Sequence, residues 1–513
     1  MSRLEKSAKN ILLSFGNTAF SSVLTFVSRT IFIMVLGKDY LGLSGLLTNI
    51  LGFLSLTELG ISSAIGFSLY KPLAEKDSKT ISSLMSLYRK AYIIIAFIVA
   101  VSGIILYFSL DFFIPLSQQP AGTDFAYFAF LINIVISYLL SYKVTLISSD
   151  NQAYQLVPIN VIVMLIQTIG QIIVLIVFKS YVVYLAVQII CSIILMLIQN
   201  RYITKKYREI DFYSTEKIDK KLQKTIKRNI GGLVIAKVGD YLVNSTDNLI
   251  ITKLISLSAT GIYSNYLTIR NIINGFIATL FAGITASMGN VVATESNEHK
   301  LKIFNTTMFF AFFIYSFESV CFMCLFNPFI GDIWIGKEYI FDEFTVFIIV
   351  INNYLTGLRI PLITMKNAAG KYMEDAWIPF GFAIVNLISS IILAKYLGVA
   401  GVFLGTIIGS LCTADWYRPV IIYKYVFKAS VIQYYIQYIK YLILGIAYVI
   451  GAYWGCSYVN IQNPIVNFII KCFVAVIVPV VSNIVLFFKT EEFQVLFSMA
   501  KRLIMPMVKK IKR

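Results

Sequence analysis

Ten ionisable side chains lie inside segments that are otherwise strongly apolar: Arg29, Glu58, Lys237, Asp240, Asp247, Arg270, Glu318, Arg359, Asp415 and Arg418. A charge at the centre of a membrane helix costs about 2.5–3.5 kcal/mol on insertion scales, so each must face a cavity, water or a partner. The chemistry these residues offer is binding, not bond-making. An arginine fork holds a phosphate through two parallel hydrogen bonds, which the ammonium of lysine cannot do. Arg29 and Arg270 stand about eight or nine residues, roughly 12 Å, from the outer ends of their helices, so both sit at mid-depth. They are the leading candidates to hold an anion. A structural role competes: Arg29 could neutralise Glu58, and Arg270 could pair with Asp240 or Asp247. Asp415 and Arg418 are spaced i, i+3, which suits a local ion pair as well as a ligand contact. Arg359 lies near Pro361 at an inner helix end, where headgroup and ligand contact are both open. Glu58, Asp240 and Asp247 are the acids placed to bind a cation or to balance the arginines. Lys143, Lys440 and Lys471 are close enough to helix ends to snorkel.

Other chemistries are poorly supplied. There is one histidine, His299, and no phosphate-binding GxxxxGK[ST] loop. The six cysteines sit in or beside apolar runs. Cys321 and Cys324 have CxxC spacing but no second pair, so they read as small packing residues. No cofactor, metal site or catalytic residue is expected, and the chain does not read as an enzyme.

The elements that must position these charges follow from composition. Of 513 residues, 58% are hydrophobic and only 14% charged. Soluble domains carry about 25% charged residues, so this chain has too little polar surface to stand in water. A helix crosses a bilayer with about 20 apolar residues. The sequence offers fourteen such runs, at roughly 11–36, 41–69, 91–110, 124–147, 156–178, 180–200, 229–253, 261–290, 303–327, 343–365, 377–396, 398–425, 436–458 and 464–488. The breaks near 178–180 and 396–398 are the thinnest. The net charge is +18. With the N-terminus inside, the basic clusters fall on every second loop, which places both termini in the cytoplasm and the protein in the plasma membrane. Nucleic acid is not an expected partner, because the base is spread along the loops.

The longest polar stretch, 201–228, separates six spans from eight. GISSAIG at 60–66 answers GITASMG at 283–289, and YLGLSGL at 40–46 answers ATGIYSN at 259–265. These matches predict two parallel-repeat six-helix lobes, 1–200 and 229–428, joined by the basic linker. Two additional helices cover 429–488. Residues 489–513 read as a basic amphipathic helix on the inner leaflet.

Five segments, TELGISSAIGFSLYKPLAEKD (57–77), STDNLII (245–251), GIYSNYLTIRN (261–271), ASMGNVVATES (286–296) and DIWIGKEYIF (332–341), resemble the polysaccharide repeat-unit flippases of Gram-positive bacteria. That family belongs to the multidrug/oligosaccharidyl-lipid/polysaccharide exporter superfamily. The resemblance implies an all-α membrane protein with two lobes in a V around a cationic cavity, working by alternating access. It implies undecaprenyl-diphosphate-linked oligosaccharide as substrate, for capsule or exopolysaccharide synthesis. Pathway partners would be a polymerase and glycosyltransferases. Arg29 and Arg270 stand where such flippases place arginines in the early spans of each lobe. The carry-over reaches Arg359 and Arg418 less directly. Asp240 and Asp247 depart from a purely cationic cavity. A cation-coupled multidrug or small-solute antiporter of the same fold is the alternative.

Overall fold

The computed structural model describes residues 3–58, 61–150, 152–215, 246–369, 372–375 and 377–498. Residues 216–228 of the basic linker, Lys237, Asp240 and most of the basic tail lie outside the described residues. Among the described residues the regular structure is helical, with no strand. The longer helices are α1 (Arg3–Leu36), α2 (Lys38–Gly52), α3 (Ile61–Glu75), α4 (Ser78–Tyr107), α5 (Thr123–Ser149), α6 (Val157–Phe178), α7 (Tyr181–Lys206), α8 (Leu257–Thr294), α9 (Asn297–Asn327), α10 (Glu343–Ala368), α11 (Ile378–Cys412), α12 (Ala414–Ile422), α13 (Ile432–Ser457) and α14 (Pro464–Phe487). Ten segments among the described residues are long and apolar enough to cross a membrane. The chain is a polytopic helical membrane protein.

The expected runs and the observed helices differ in four places, one being the run at 398–425, which continues from α11 and breaks after Cys412 before α12. The run at 41–69 is broken: α2 ends at Gly52, a 3-10 turn covers Phe53–Glu58, and α3 starts at Ile61. The polar Thr57–Glu58 pair falls at that break. The run at 229–253 is described only from residue 246. The run at 261–290 lies inside α8 but is not among the ten segments. The thin breaks are present. Lys179 adopts a left-handed conformation (φ 48°) between α6 and α7, and Gly398 (φ 56°) kinks α11. A left-handed residue ends a helix because it turns the next N–H away from the ladder, and glycine does so without steric cost.

The chain divides into two compact units, residues 19–264 and residues 265–513 together with 1–18. In the N-terminal unit α4 packs on α5, α5 on α7, and α6 on α7. Its outer helices show the sequence logic of a protein in lipid. On α6, Ile162, Ile166, Ile169, Ile173 and Ile176 recur every three or four residues and are all exposed. Asn160, Gln167, Thr168 and Gln171 take the opposite face. In lipid the apolar stripe turns outward and the polar stripe must turn inward, the reverse of a helix in water.

The same unit contains a close backbone crossing between α2 and the start of α8. A Cβ added at Gly42 would stand 2.1 Å from the Leu257 carbonyl oxygen, and one at Gly261 would stand 2.1 Å from the Lys38 carbonyl oxygen. Only glycine fits either place. The crossing is reciprocal. Leu257 follows Lys38, and Gly261 follows Gly42, by the 219-residue offset that also separates the hydrogen-bonded pair Asp39 and Ser258. The two glycines are equivalent positions of the repeat segments YLGLSGL and ATGIYSN.

In the C-terminal unit α9 and α10 are the central helices. Each is largely buried along its apolar window, and α9 packs on α10, α13 and α14. Phe309, Phe312, Tyr441 and Phe487 knit α9 to α13 and α14, with Phe312 stacked on Tyr441 at 4.4 Å. Aromatic pairs of this kind contribute about 0.5–1.5 kcal/mol beyond the area they bury.

Candidate binding cavity and the buried charges

Helices α1, α6 and α7 of the N-terminal unit enclose a cavity of about 400 Å³. Arg29 projects into it from α1, beside Asn160, Gln167 and Gln171 of α6 and Tyr184 and Gln188 of α7. Apart from Arg29, the residues lining the cavity carry no charge. The amide stripe of α6 explains why these groups converge: it is the face that cannot meet lipid. Arg29 donates to the Ser264 hydroxyl and lies close enough to Tyr184 to interact with it electrostatically. Tyr181, at the start of α7, shares a 2.7 Å hydrogen bond with the Ser44 hydroxyl. Its ring meets Phe32 edge-on and stacks on Tyr184.

A second cavity of about 380 Å³ lies further along α5 and α7. Asn133, Ser137, Ser141 and Thr145, spaced four apart on α5, line it with Ser192 and Gln199 of α7. The two cavities share Leu195, and Gln199 donates to the Asn160 amide oxygen at 2.6 Å. Together they present amides, hydroxyls, two tyrosines and one guanidinium. That set can hydrogen-bond a polyol and neutralise an anion.

The charges of the C-terminal unit are arranged differently. Arg359, on α10, is buried with its Nε 3.7 Å from the Asp415 carboxylate, and it also donates to the Leu355 carbonyl and the Thr356 hydroxyl. Asp415 in turn accepts from Ser410 at 2.9 Å. Arg418 does not pair with Asp415, as the i, i+3 spacing allowed. It pairs with Asp375 at 2.9 Å, and Lys366 shares the same carboxylate. Both residues lie on the nine-residue α12, and each is met by a different neighbour: Asp415 by Arg359 of α10, Arg418 by Asp375 of the short helix Tyr372–Asp375. Arg359 therefore does not snorkel to a headgroup.

Arg270, on α8, acts electrostatically on Glu318 of α9 and on Tyr315. Glu318 is 3% exposed. Its Oε2 accepts from Asn353 at 2.9 Å, and Asn274 donates to Asn353 at 3.3 Å. The Oε1 of Glu318 and the Nε of Arg270 are buried with no hydrogen-bond partner among the described residues. Glu58 accepts from the Tyr92 hydroxyl at 2.8 Å. Asp247 is half-buried and engaged by its neighbours. Asp240 is outside the described residues. Arg29 and Arg270 thus belong to different units, and Arg29 opens on a cavity of the described residues. The amides and tyrosines around it were missed in sequence. The signal that could have found them is the polar stripe inside the apolar run 156–178.

The fold is that of a known class of helical membrane transporters. The chain is similar to the lipid II flippase MurJ in an inward closed conformation (TM-score 0.62, 14% identity, covering 92% of this chain and 98% of that chain). It is also similar to a eukaryotic MATE transporter (0.58, 13%, 83% and 97%). A third similar structure is an inward-facing multidrug resistance MATE family transporter of the MOP superfamily (0.55, 14%, 76% and 91%). No family model and no curated protein sequence matches the chain. At these identities the likeness is one of fold.

Proposed function

We propose that this protein is a transporter that carries lipid-linked oligosaccharides across the plasma membrane, from the inner to the outer leaflet, by alternating access. The observation that carries the reading is the N-terminal cavity: one guanidinium among amides, hydroxyls and tyrosines, with no carboxylate in its lining. An anionic head joined to sugars matches those groups. Arg29 holds the diphosphate, and the amides and hydroxyls of both cavities hold the first sugars. The polyprenyl tail stays in lipid. Undecaprenyl diphosphate as the carrier, capsule or exopolysaccharide as the product, and a polymerase and glycosyltransferases as pathway partners rest on the sequence resemblance. Both termini are assigned to the cytoplasm on loop charge. Arg270 is assigned to a supporting anion contact in its own unit, and Arg359 and Arg418 to the framework. Glu58, Asp240 and Asp247 are assigned to charge balance.

The test is a deletion strain. Lipid-linked repeat units should accumulate on the inner leaflet, and wild-type protein should clear them. Arg29→Gln should fail to clear them while reaching the membrane at wild-type level. Full clearance by that variant would sink the assignment.

A cation-coupled antiporter is the second reading, and Glu318 favours it. A buried carboxylate with one oxygen open is a place where a proton or a cation can bind. Export of a cationic dye that depends on Glu318, with no change in lipid-linked repeat units, would establish that reading instead.

A further inference from the structure

Two cations of the N-terminal unit are absorbed by neither reading. Lys143, on α5, was expected to snorkel. It is instead 7% exposed. Its ammonium donates to the Asn200 amide oxygen and to the Thr204 hydroxyl (2.7 Å), both on α7, and stands 4.5 Å over the Phe212 ring. Arg89, on α4, is half-buried. Its guanidinium lies 4.1 Å from the centre of the Tyr213 ring, and its Nε is buried with no hydrogen-bond partner. Arg89 and Lys143 are close enough to repel each other. Among the described residues neither forms an ion pair. Asp211, next to Phe212, accepts from the Tyr213 N–H through a carboxylate oxygen at 2.8 Å, while its own N–H donates to Ser82 at 3.0 Å.

Two like charges withdrawn from water without a counter-ion are unfavourable. Neutral amides and ring faces relieve this only in part, since a cation–π contact is weaker than a charge-assisted hydrogen bond. The missing element is an anion that takes both a fork and an ammonium. Phosphate fits: its oxygens accept from a guanidinium side-on and from lysine as a point charge. The Phe212–Tyr213 pair covers the site from the segment that follows α7. Phe212 is buried and Tyr213 is exposed, so the outer half of the cover can lift.

We propose that Arg89 and Lys143 form a phosphate-binding site at the end of the N-terminal unit where α7 finishes, capped by the Phe212–Tyr213 cover. The site is separate from the Arg29 cavity and does not depend on what that cavity carries. Its ligand is the phosphate of a lipid headgroup or a soluble phosphate.

Full-length protein in phosphatidylcholine nanodiscs, with and without a minor fraction of phosphatidylglycerol, distinguishes these sources by hydrogen exchange over residues 82–92 and 207–215. Phosphatidylglycerol, whose phosphate is not neutralised by a choline cation as that of phosphatidylcholine is, should protect both segments if the phosphate of an anionic lipid is the ligand. Inorganic phosphate or pyrophosphate should protect them in pure phosphatidylcholine if it is soluble. Arg89→Gln with Lys143→Gln should weaken the effective probe by about 10–100-fold, the value of hydrogen bonds to a charged group. Arg89→Lys, which keeps the charge, should lose less. Tyr213→Ala changes only an exposed ring and should tighten binding several-fold by removing the cover. No protection by either probe would overturn the proposal. So would equal protection in the folded double variant. If the double variant does not fold, unchanged binding in Tyr213→Ala decides against it.

Discussion

The two units handle buried charge in opposite ways. In the N-terminal unit Arg29 opens on a cavity whose other lining groups are neutral amides, hydroxyls and tyrosines. In the C-terminal unit Arg359 and Arg418 are turned onto Asp415 and Asp375 inside packed helices, and Arg270 faces the field of Glu318. The same residue type opens on a cavity in one unit, while in the other Arg359 and Arg418 are paired with carboxylates. An arginine in an apolar run is therefore not by itself a sign of a ligand contact. What marks Arg359 and Arg418 is the carboxylate that reaches each guanidinium from another helix.

The largest effect should come from breaking a framework pair. Asp375→Asn leaves Lys366 and Arg418 buried without their shared partner and should cost about 3–5 kcal/mol. Thermal unfolding of the purified protein would show it, and an unchanged melting temperature would remove the structural half of the contrast. Replacing Arg359 and Asp415 together by Met and Leu should cost less than Asp415→Asn alone, because no buried charge is then left over.

Next is Arg29→Gln. It should lower substrate affinity by about 10–100-fold, the worth of one charge-assisted contact, with little change in melting. Arg29→Lys should recover only part, since the fork geometry is lost. Lipid-linked substrate binding measured beside melting curves would separate the two. A large stability loss would move Arg29 to the framework class.

The backbone crossing supplies a smaller effect that is purely steric. Gly42→Ala and Gly261→Ala should each destabilise by about 1–3 kcal/mol through overpacking. Similar losses at both would support their equivalence, and a loss at only one would break it. Smallest is Gln171→Ala, which removes a single neutral cavity group whose Nε2 lies 3.5 Å from the Tyr184 carbonyl oxygen. About 0.5–1.5 kcal/mol of binding should go, visible as a few-fold change in affinity. A loss as large as that of Arg29→Gln would show that the amides, not the charge, select the substrate.

Much of the architecture was legible because lipid imposes a simple rule. Segments must be long, apolar and internally hydrogen-bonded, so composition and run length alone yield a polytopic helical protein. The helix breaks at Lys179 and Gly398 were visible as interruptions in apolar runs. The break at Phe53–Glu58 was not, because the flanking residues stay apolar enough to read as continuous.

The sequence by itself determined the solvent of this protein, the placing of most of its long helices and the short set of charges worth asking about. It also held the matching segments in which Gly42 and Gly261 take the same position. Only the tertiary structure decided what each charge does. Asp375 sits 43 residues from Arg418 along the chain, and Asp415 sits 56 residues beyond Arg359. Pairing at such separations depends on how helices pack and where short ones turn, and spacing along one helix cannot report it. The amide stripe of α6 was equally present in the sequence. It became a cavity wall only when α1 and α7 closed around it, because a polar face in lipid has nowhere to turn but inward.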